Sequence, residues 1–358
     1  MSRPDAPPVP QRADPPAATL AGIRAGRPAT GPQHVHIDIT NGCNAACVTC
    51  WDHSPHLTTP RPADWKRRRM PKERFDALIE ELAALGSVEA VVISGMGEPL
   101  THPDVYPMLD AVKARGWRLT LMTNLVAADI DRLCRIGVDQ VLVGVQGATL
   151  DRYLAFHPGW TEEHFHRLCT SLRRLGRAGV RTRHVHVIDR HTAPDVVPMV
   201  EMGRMFGADR VNLKLASLSG GTEVVAIDDA QRAWLLESGI PAAEARAAAL
   251  GVATNLPLFR RQVEQGGLVT TPMDEIGCYM GYVYTRVTVD LDLLYCCNTE
   301  VRVGSLLDAP LATWWWGERW QGLRGTLAEG RYFRGCDRCG KVEQNLAWSR
   351  RLHAAERA

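Results

Sequence analysis

No apolar run in this 358-residue chain approaches the roughly 18 residues that a membrane-spanning helix needs. A helical membrane protein is thereby excluded. The opening stretch, MSRPDAPPVPQRADPP, contains no hydrophobic core of a signal peptide. A secreted disulfide scaffold is not expected, and the chain reads as cytoplasmic. Charge of one sign is also missing, since 42 Lys+Arg nearly cancel 40 Asp+Glu for a net +2. That balance argues against a polybasic nucleic-acid binder or an acidic tail as the main theme. Aromatics are scarce at 6%, yet apolar residues reach 45%, enough for a sizeable and mostly aliphatic core. The length fits two domains, or one large domain with an appendage.

Cysteine is plentiful and clustered. Of ten, three are Cys43, Cys47 and Cys50, and five come late: Cys278, Cys296, Cys297, Cys336 and Cys339. Only Cys134 and Cys169 lie between, in helix-like apolar patterns that suit a small buried hydrophobe. In a reducing compartment the two clusters read as separate metal sites.

The chain divides into five stretches. Residues 1–30, rich in Pro and Ala and without periodicity, read as a disordered tail. Residues 31–215 alternate short apolar runs with amphipathic stretches, from HVHIDIT at His34 to VNLKL ending at Leu215. Six strands joined by helices predict parallel pairing with right-handed crossovers, an α/β fold. Residues 216–275 read as a helical connection. Residues 276–342 carry a hairpin pattern, a Trp-rich helical stretch and the turn CDRCG. Residues 343–358 read as an exposed C-terminal helix.

CNAACVTC follows the first strand as a C-x3-C-x2-C loop. Three thiolates so close on one loop do not complete a zinc site. They can hold three irons of a [4Fe–4S] cube and leave the fourth open to a ligand. The ends of later strands offer partners for that ligand. SGMGEP, Ser94 to Pro99, ends the second strand; its glycines permit close approach and Glu98 can accept from a cationic amine. Thr123 and Asn124 end the third strand and Gln146 the fourth. In a parallel barrel these positions share one face. In the second cluster, a C-x2-C turn with Cys278 and Cys296 can hold zinc or a second iron–sulfur cluster, since both accept four thiolates.

In these motifs the chain resembles the radical S-adenosylmethionine (SAM) enzymes. Cys43, Cys47 and Cys50 match the family's cluster motif, and Gly95, Met96, Gly97, Glu98 and Pro99 match its GGEP-type motif, which contacts the SAM amino group. The βα units match its partial (β/α)6 barrel, and the likeness covers residues 34–214. Gly144 and Gln146 stand where a family segment usually has Ser and Asp. The late cysteines resemble the auxiliary "twitch" domain, a truncated relative of the SPASM domain. That likeness implies a second [4Fe–4S] cluster at Cys278, Cys296, Cys336 and Cys339, with Cys297 the alternative to Cys296. It also implies reductive cleavage of SAM and hydrogen abstraction from a small-molecule substrate, with an electron donor such as flavodoxin or ferredoxin and no nucleic-acid or membrane partner. Dehydrogenation of a sugar or aminocyclitol alcohol in an antibiotic pathway is the leading expectation. The alternatives are epimerisation with Cys297 as hydrogen donor, maturation of a ribosomal peptide, or an electron carrier that does not turn over SAM. Residues 1–33 are too short and Pro-rich for a peptide-recognition module.

Further residues are weighed on sequence alone. Lys66 to Arg69 read as a solvated face. Trp314, Trp315, Trp316 and Trp320 read as core. His34 with His36 and His184 with His186 each share one face of a strand and read as packing, with a lumen contact from His184 or His186 as the alternative. Asp52, His53, Arg286, Asn298 and Glu300 lie near cysteine ligands and are candidates for substrate hydroxyls or for the proton lost on oxidation.

Overall fold

A computed structural model describes residues 17–266, 273–336 and 339–356. Its frame is one nine-stranded sheet in the order β6-β5-β4-β3-β2-β1-β7-β8-β9. The six expected strands are β1 (His34–Asp38), β2 (Ala90–Ser94), β3 (Arg118–Thr123), β4 (Gln140–Gly144), β5 (Thr182–Ile188) and β6 (Arg210–Leu215). All pair in parallel, as the intervening helices require. Those helices are Lys72–Ala84, Val105–Ala114, Ile130–Ile136, Leu150–Phe156, Glu162–Arg177 and Val196–Phe206. The mixed α/β architecture is that of a partial TIM-like barrel. Gly137 and Gly207 end two helices in the left-handed conformation, where a side chain would be strained.

The register separates two faces. Val35 and Ile37 of β1 align with Val91 and Ile93 of β2, and all four are fully buried against the helical layer. His36, Asp38 and Ser94 lie on the opposite face, which is the barrel lumen. Carried across the sheet, the lumen set includes Met122, Gly144, Arg183, Asn212 and Lys214. His184 and His186 fall on the helical side, in register with Val143, Val211 and Leu213. The packing expected of this pair therefore holds, and the alternative of a lumen contact is set aside. Alternation along a strand defines two faces but does not say which one looks inward.

The late residues join the same sheet. β7 (Tyr284–Val287) pairs parallel with β1 on its free edge. The expected hairpin is β7 with β8 (Asp292–Leu294), and β9 (Arg302–Ser305) extends it. The Trp-rich stretch forms two helices, Leu311–Trp316 and Glu318–Ala328, broken at Gly317. Trp315 and Trp320 are fully buried and in ring contact, while Trp316 is exposed.

Two expected loose ends are ordered. Within the 1–30 tail, Ala17–Arg24 is a helix. The Thr19 hydroxyl of this helix accepts from the Gln33 amide, and Leu20 and Ile23 pack beside Met280 and Trp348. The C-terminal helix Val342–Glu356 is partly buried through Asn345, Trp348 and Ser349. Residues 1–16 of the expected tail, and Asp337 and Arg338 of the CDRCG turn, lie outside the described residues. Among the described residues, no helix is long and apolar enough to cross a membrane.

Candidate functional site

The cysteine loop leaves β1 and is clamped to the loop after β2. Gly97 N–H donates to the Thr40 carbonyl and Glu98 N–H to that of Gly42. A Cβ on Gly95 would stand 2.2 Å from the Thr40 oxygen, and one on Gly97 2.0 Å from the Gly42 oxygen. These glycines thus admit the cysteine loop itself, a closer constraint than the ligand approach expected of them. On its other side the loop is held by Trp160, whose indole N–H donates to the Asn44 carbonyl, and by Val48 N–H donating to Phe156.

The Cys43, Cys47 and Cys50 thiols lie within electrostatic range of one another. Burial pushes Cys43 up to about 11 and Cys47 well above the usual thiol range. Stripped of water, these groups favour the neutral thiol until a cation is present. The backbone N–H groups of Asp52 and His53 point at the Cys50 sulfur, at 3.5 and 3.3 Å. Desolvated, mutually facing thiols with N–H donors at sulfur suit an iron–sulfur cluster.

Glu98 is only 3% exposed. Its carboxylate accepts from the Thr123 hydroxyl at 2.6 Å, Asn124 N–H at 2.8 Å and Leu100 N–H at 3.0 Å. Burial raises its pKa to about 7, against these three hydrogen bonds. A carboxylate with about four acceptor sites keeps capacity for a cationic amine. Thr123 and Asn124, expected as SAM contacts, here hold Glu98 in place. Asn124 also donates from its side chain to Asn44, tying β3 to the cysteine loop. Gln146 adopts a positive φ of 68°. Its amide oxygen accepts from Val187 N–H and its carbonyl accepts from His186, so the side chain folds onto β5. Pro99 is buried and opens the short helical turn after Glu98.

A buried polar network crosses the lumen from this motif towards β7. Ser94 donates to Asp38 at 2.8 Å and contacts His36, and Arg286 of β7 donates to Asp38 at 2.7 Å. The second amine of the guanidinium reaches the Met96 sulfur at 3.3 Å. Despite burial, the Arg286 cation and the His36 contact hold the Asp38 carboxyl well below its usual range. Sequence reasoning placed Arg286 near the ligands but missed Asp38, because the pairing of β1 with β7 has no local signal.

The second thiol group lies beside this network. Cys278, Cys296, Cys297, Cys336 and Cys339 are linked by mutual interactions. Contact with the Cys296 thiol, and then with Cys339, pulls Cys297 down and pushes its two neighbours up. Both expected alternatives, Cys296 and Cys297, therefore stand in the group. Asn298 N–H points at the Cys296 sulfur and Lys341 N–H at that of Cys339, each at 3.4 Å. Cys297 also feels Lys341, while Arg286 and Tyr284 feel Cys297. This group thus borders the lumen. Five gathered thiols with N–H donors fit an iron–sulfur cluster with one sulfur to spare. Among the described residues, no three His, Cys, Asp or Glu close around a single metal ion.

The other candidates are more peripheral. Asp52 pairs with Arg61 at 2.7 Å, and the His53 Nε2 is buried without a hydrogen bond. Asn298 donates to the Arg334 carbonyl, and Glu300 is exposed. Arg67, Arg68 and Arg69 are exposed, and Arg68 pairs with Asp290. Cys134 and Cys169 pack against the core.

Comparison with known proteins places this geometry. A family model described as the Radical SAM superfamily matches residues 37–202. The chain is 26% identical to PqqA peptide cyclase of Ruegeria pomeroyi over 186 residues, 51% of this chain and 47% of that one. It is 26% identical to AdoMet-dependent heme synthase of Methanosarcina barkeri over 182 residues, 49% and 48% of the two chains. The chain thus spans about half the length of the curated relatives it matches. Streptococcus suis SuiB, solved bound to its precursor peptide SuiA, has a similar fold at TM-score 0.62 and 17% identity, over 88% of this chain and 70% of SuiB. Residues 37–202, which include the cysteine loop and Glu98, are thus similar to the radical SAM superfamily.

Proposed function

We propose that this chain is a radical SAM oxidoreductase that dehydrogenates a secondary alcohol of a sugar or aminocyclitol intermediate. The observation that carries this reading is the second thiol group, bordering the same lumen as the first. Iron–sulfur clusters at the two groups, with SAM, supply a hydrogen-abstracting 5′-deoxyadenosyl radical and an acceptor for the electron left on substrate. The protein supplies position. Cys43, Cys47 and Cys50 hold the first cluster, Glu98 receives the SAM ammonium, and Thr123 and Asn124 fix Glu98. His36, Ser94 and Asn212 offer hydrogen-bonding groups to substrate hydroxyls on the lumen wall. Cysteines 278, 296, 336 and 339 hold the second cluster, with Cys297 the alternative to Cys296.

Epimerisation needs a free thiol as hydrogen donor. Cys297 touches Cys296 and Cys339, which makes it part of the auxiliary group and favours oxidation. A peptide substrate is the second reading, favoured by the similarity to a peptide cyclase. Anaerobic turnover in heavy water separates dehydrogenation from epimerisation. Dehydrogenation predicts 5′-deoxyadenosine and an oxidised product with no solvent deuterium at carbon. Deuterium at carbon without net oxidation contradicts it in favour of epimerisation.

A further inference from the structure

The lumen wall carries a pair of guanidinium groups that hydrogen abstraction does not use. Arg183 on β5 and Arg210 on β6 are direct partners in the parallel register, on strands about 4.8 Å apart. Both lie on the lumen face, with Asn212 two residues further along β6. Arg210 reaches Glu343 of the C-terminal helix at 3.4 Å, and Arg181 pairs with Asp209 at 3.2 Å. Glu343 and Asp209 are also the carboxylates that act on Arg183. Three guanidinium groups thus share two carboxylates, and each carboxylate is already engaged. Arg183 is half-buried and makes no ion pair or hydrogen bond among the described residues. The Nε atoms of Arg183 and Arg210 and the Oδ1 of Asn212 are shielded from solvent without a hydrogen-bond partner. Polar atoms left in that state cost free energy until a ligand satisfies them.

A guanidinium presents its N–H donors as a planar fork that matches a carboxylate or a phosphate. Two such forks side by side, with one positive charge in excess, form a seat for an oxyanion, which would also offset their mutual repulsion. The Asn212 oxygen is an acceptor without a donor, and a hydroxyl group next to the oxyanion would supply one. We propose that Arg183 and Arg210 bind a carboxylate or phosphate of the substrate, and that a neighbouring substrate hydroxyl donates to Asn212 Oδ1. The substrate is then an acidic or phosphorylated sugar. An aminocyclitol would bring its own cation to this pair and be disfavoured. This selection rests on the functional reading above, in which the lumen receives a polyhydroxylated substrate.

The test is isothermal titration calorimetry at low ionic strength on the full, anaerobically reconstituted chain without reductant. The probes are glucuronate, glucose 6-phosphate and glucose, which share a sugar ring and differ in the anion. Tighter binding of glucuronate assigns a carboxylate, and tighter binding of glucose 6-phosphate a phosphate. The preferred anion should bind at least about tenfold more tightly than glucose, the lower end for a hydrogen bond to a charged group. Arg183→Met should abolish that preference and Arg183→Lys should keep part of it. Arg183→Gln replaces Arg183→Met if the latter loses its iron. Arg181→Met removes an equal charge nearby, one already held by Asp209, and should keep the preference. Equal affinity for all three sugars, or equal loss in Arg181→Met and Arg183→Met, would overturn the subsite. Formation of 5′-deoxyadenosine from SAM on addition of dithionite is read in parallel. Its presence without anion preference overturns the subsite alone. Anion preference in a chain that forms none contradicts the functional reading and leaves the anion site standing.

Discussion

With Glu98 as the proposed acceptor for the SAM ammonium, SAM affinity should depend on pH, and burial of the carboxyl sets the direction. Its carboxyl, ordinarily at 4.5, is raised to about 7 by burial. A raised carboxyl pKa means that the ligand-free fold holds this proton more tightly than the unfolded chain. The resulting stability is complete below 4.5 and is lost as pH rises through about 7. An ammonium seated on Glu98 needs the ionised form, so binding expels the proton. Each unit below the pKa then costs about 1.4 kcal/mol, or roughly tenfold in Kd. Besides Tyr106, which stays neutral across this pH range, the titratable neighbours that feel Glu98 are Cys43 and Cys47. Ligated to iron they stay deprotonated across the window and add no slope. The assay is equilibrium binding of SAM to anaerobically reconstituted protein from pH 5.5 to 8.5. Affinity should rise steeply to about pH 7 and fall again above about pH 8, where the SAM amine loses its own proton. Glu98→Gln should flatten the profile and weaken binding at pH 8 by about 1.5–3 kcal/mol, the range for a charge-assisted hydrogen bond. A flat wild-type profile, or a Glu98→Gln profile that keeps its slope, would refute the assignment.

Three further outcomes follow from packing and charge. Gly97→Ala should lose iron from the first site, because its Cβ would stand 2.0 Å from the Gly42 oxygen; full iron content would contradict the clamp. Arg286→Met should destabilise the fold by about 3–5 kcal/mol in urea unfolding, because Asp38 is left as a buried charge without its cation; a loss below about 1 kcal/mol would contradict that account. Burial holds His184 at about 3 and His186 at about 4, against the usual 6.5. Stability from these neutral rings is present above 6.5 and lost as pH falls. His184→Leu should therefore reduce acid destabilisation in urea midpoints between pH 7 and 4.5, and an unchanged slope would place the ring elsewhere.

Much of this was readable before any coordinates. The β1–β6 frame and its helices follow from local periodicity, because each strand and helix buries a patterned face. The cysteine loop and Glu98 follow from their positions after β1 and β2. What was not legible depends on long-range pairing. The parallel contact of β7 with β1 joins residues some 250 apart in the chain and brings Arg286 to Asp38, with no signal in either segment. Gly95 and Gly97 read as room for a ligand but meet the cysteine loop, since the sequence does not show which backbone comes close. His184 and His186 alternate with Val185 and Val187, a pattern that defines two faces of β5 without saying which one is the lumen.

Iron and sulfide content after anaerobic reconstitution tests the central claim most directly, with the wild type compared to the Cys43/Cys47/Cys50→Ala protein. Thiolate counting predicts about eight irons per chain falling to about four. A wild type with about four irons that falls to near zero would contradict the account. The late cysteines would then be a zinc or structural site, and oxidation of substrate would lose its electron acceptor.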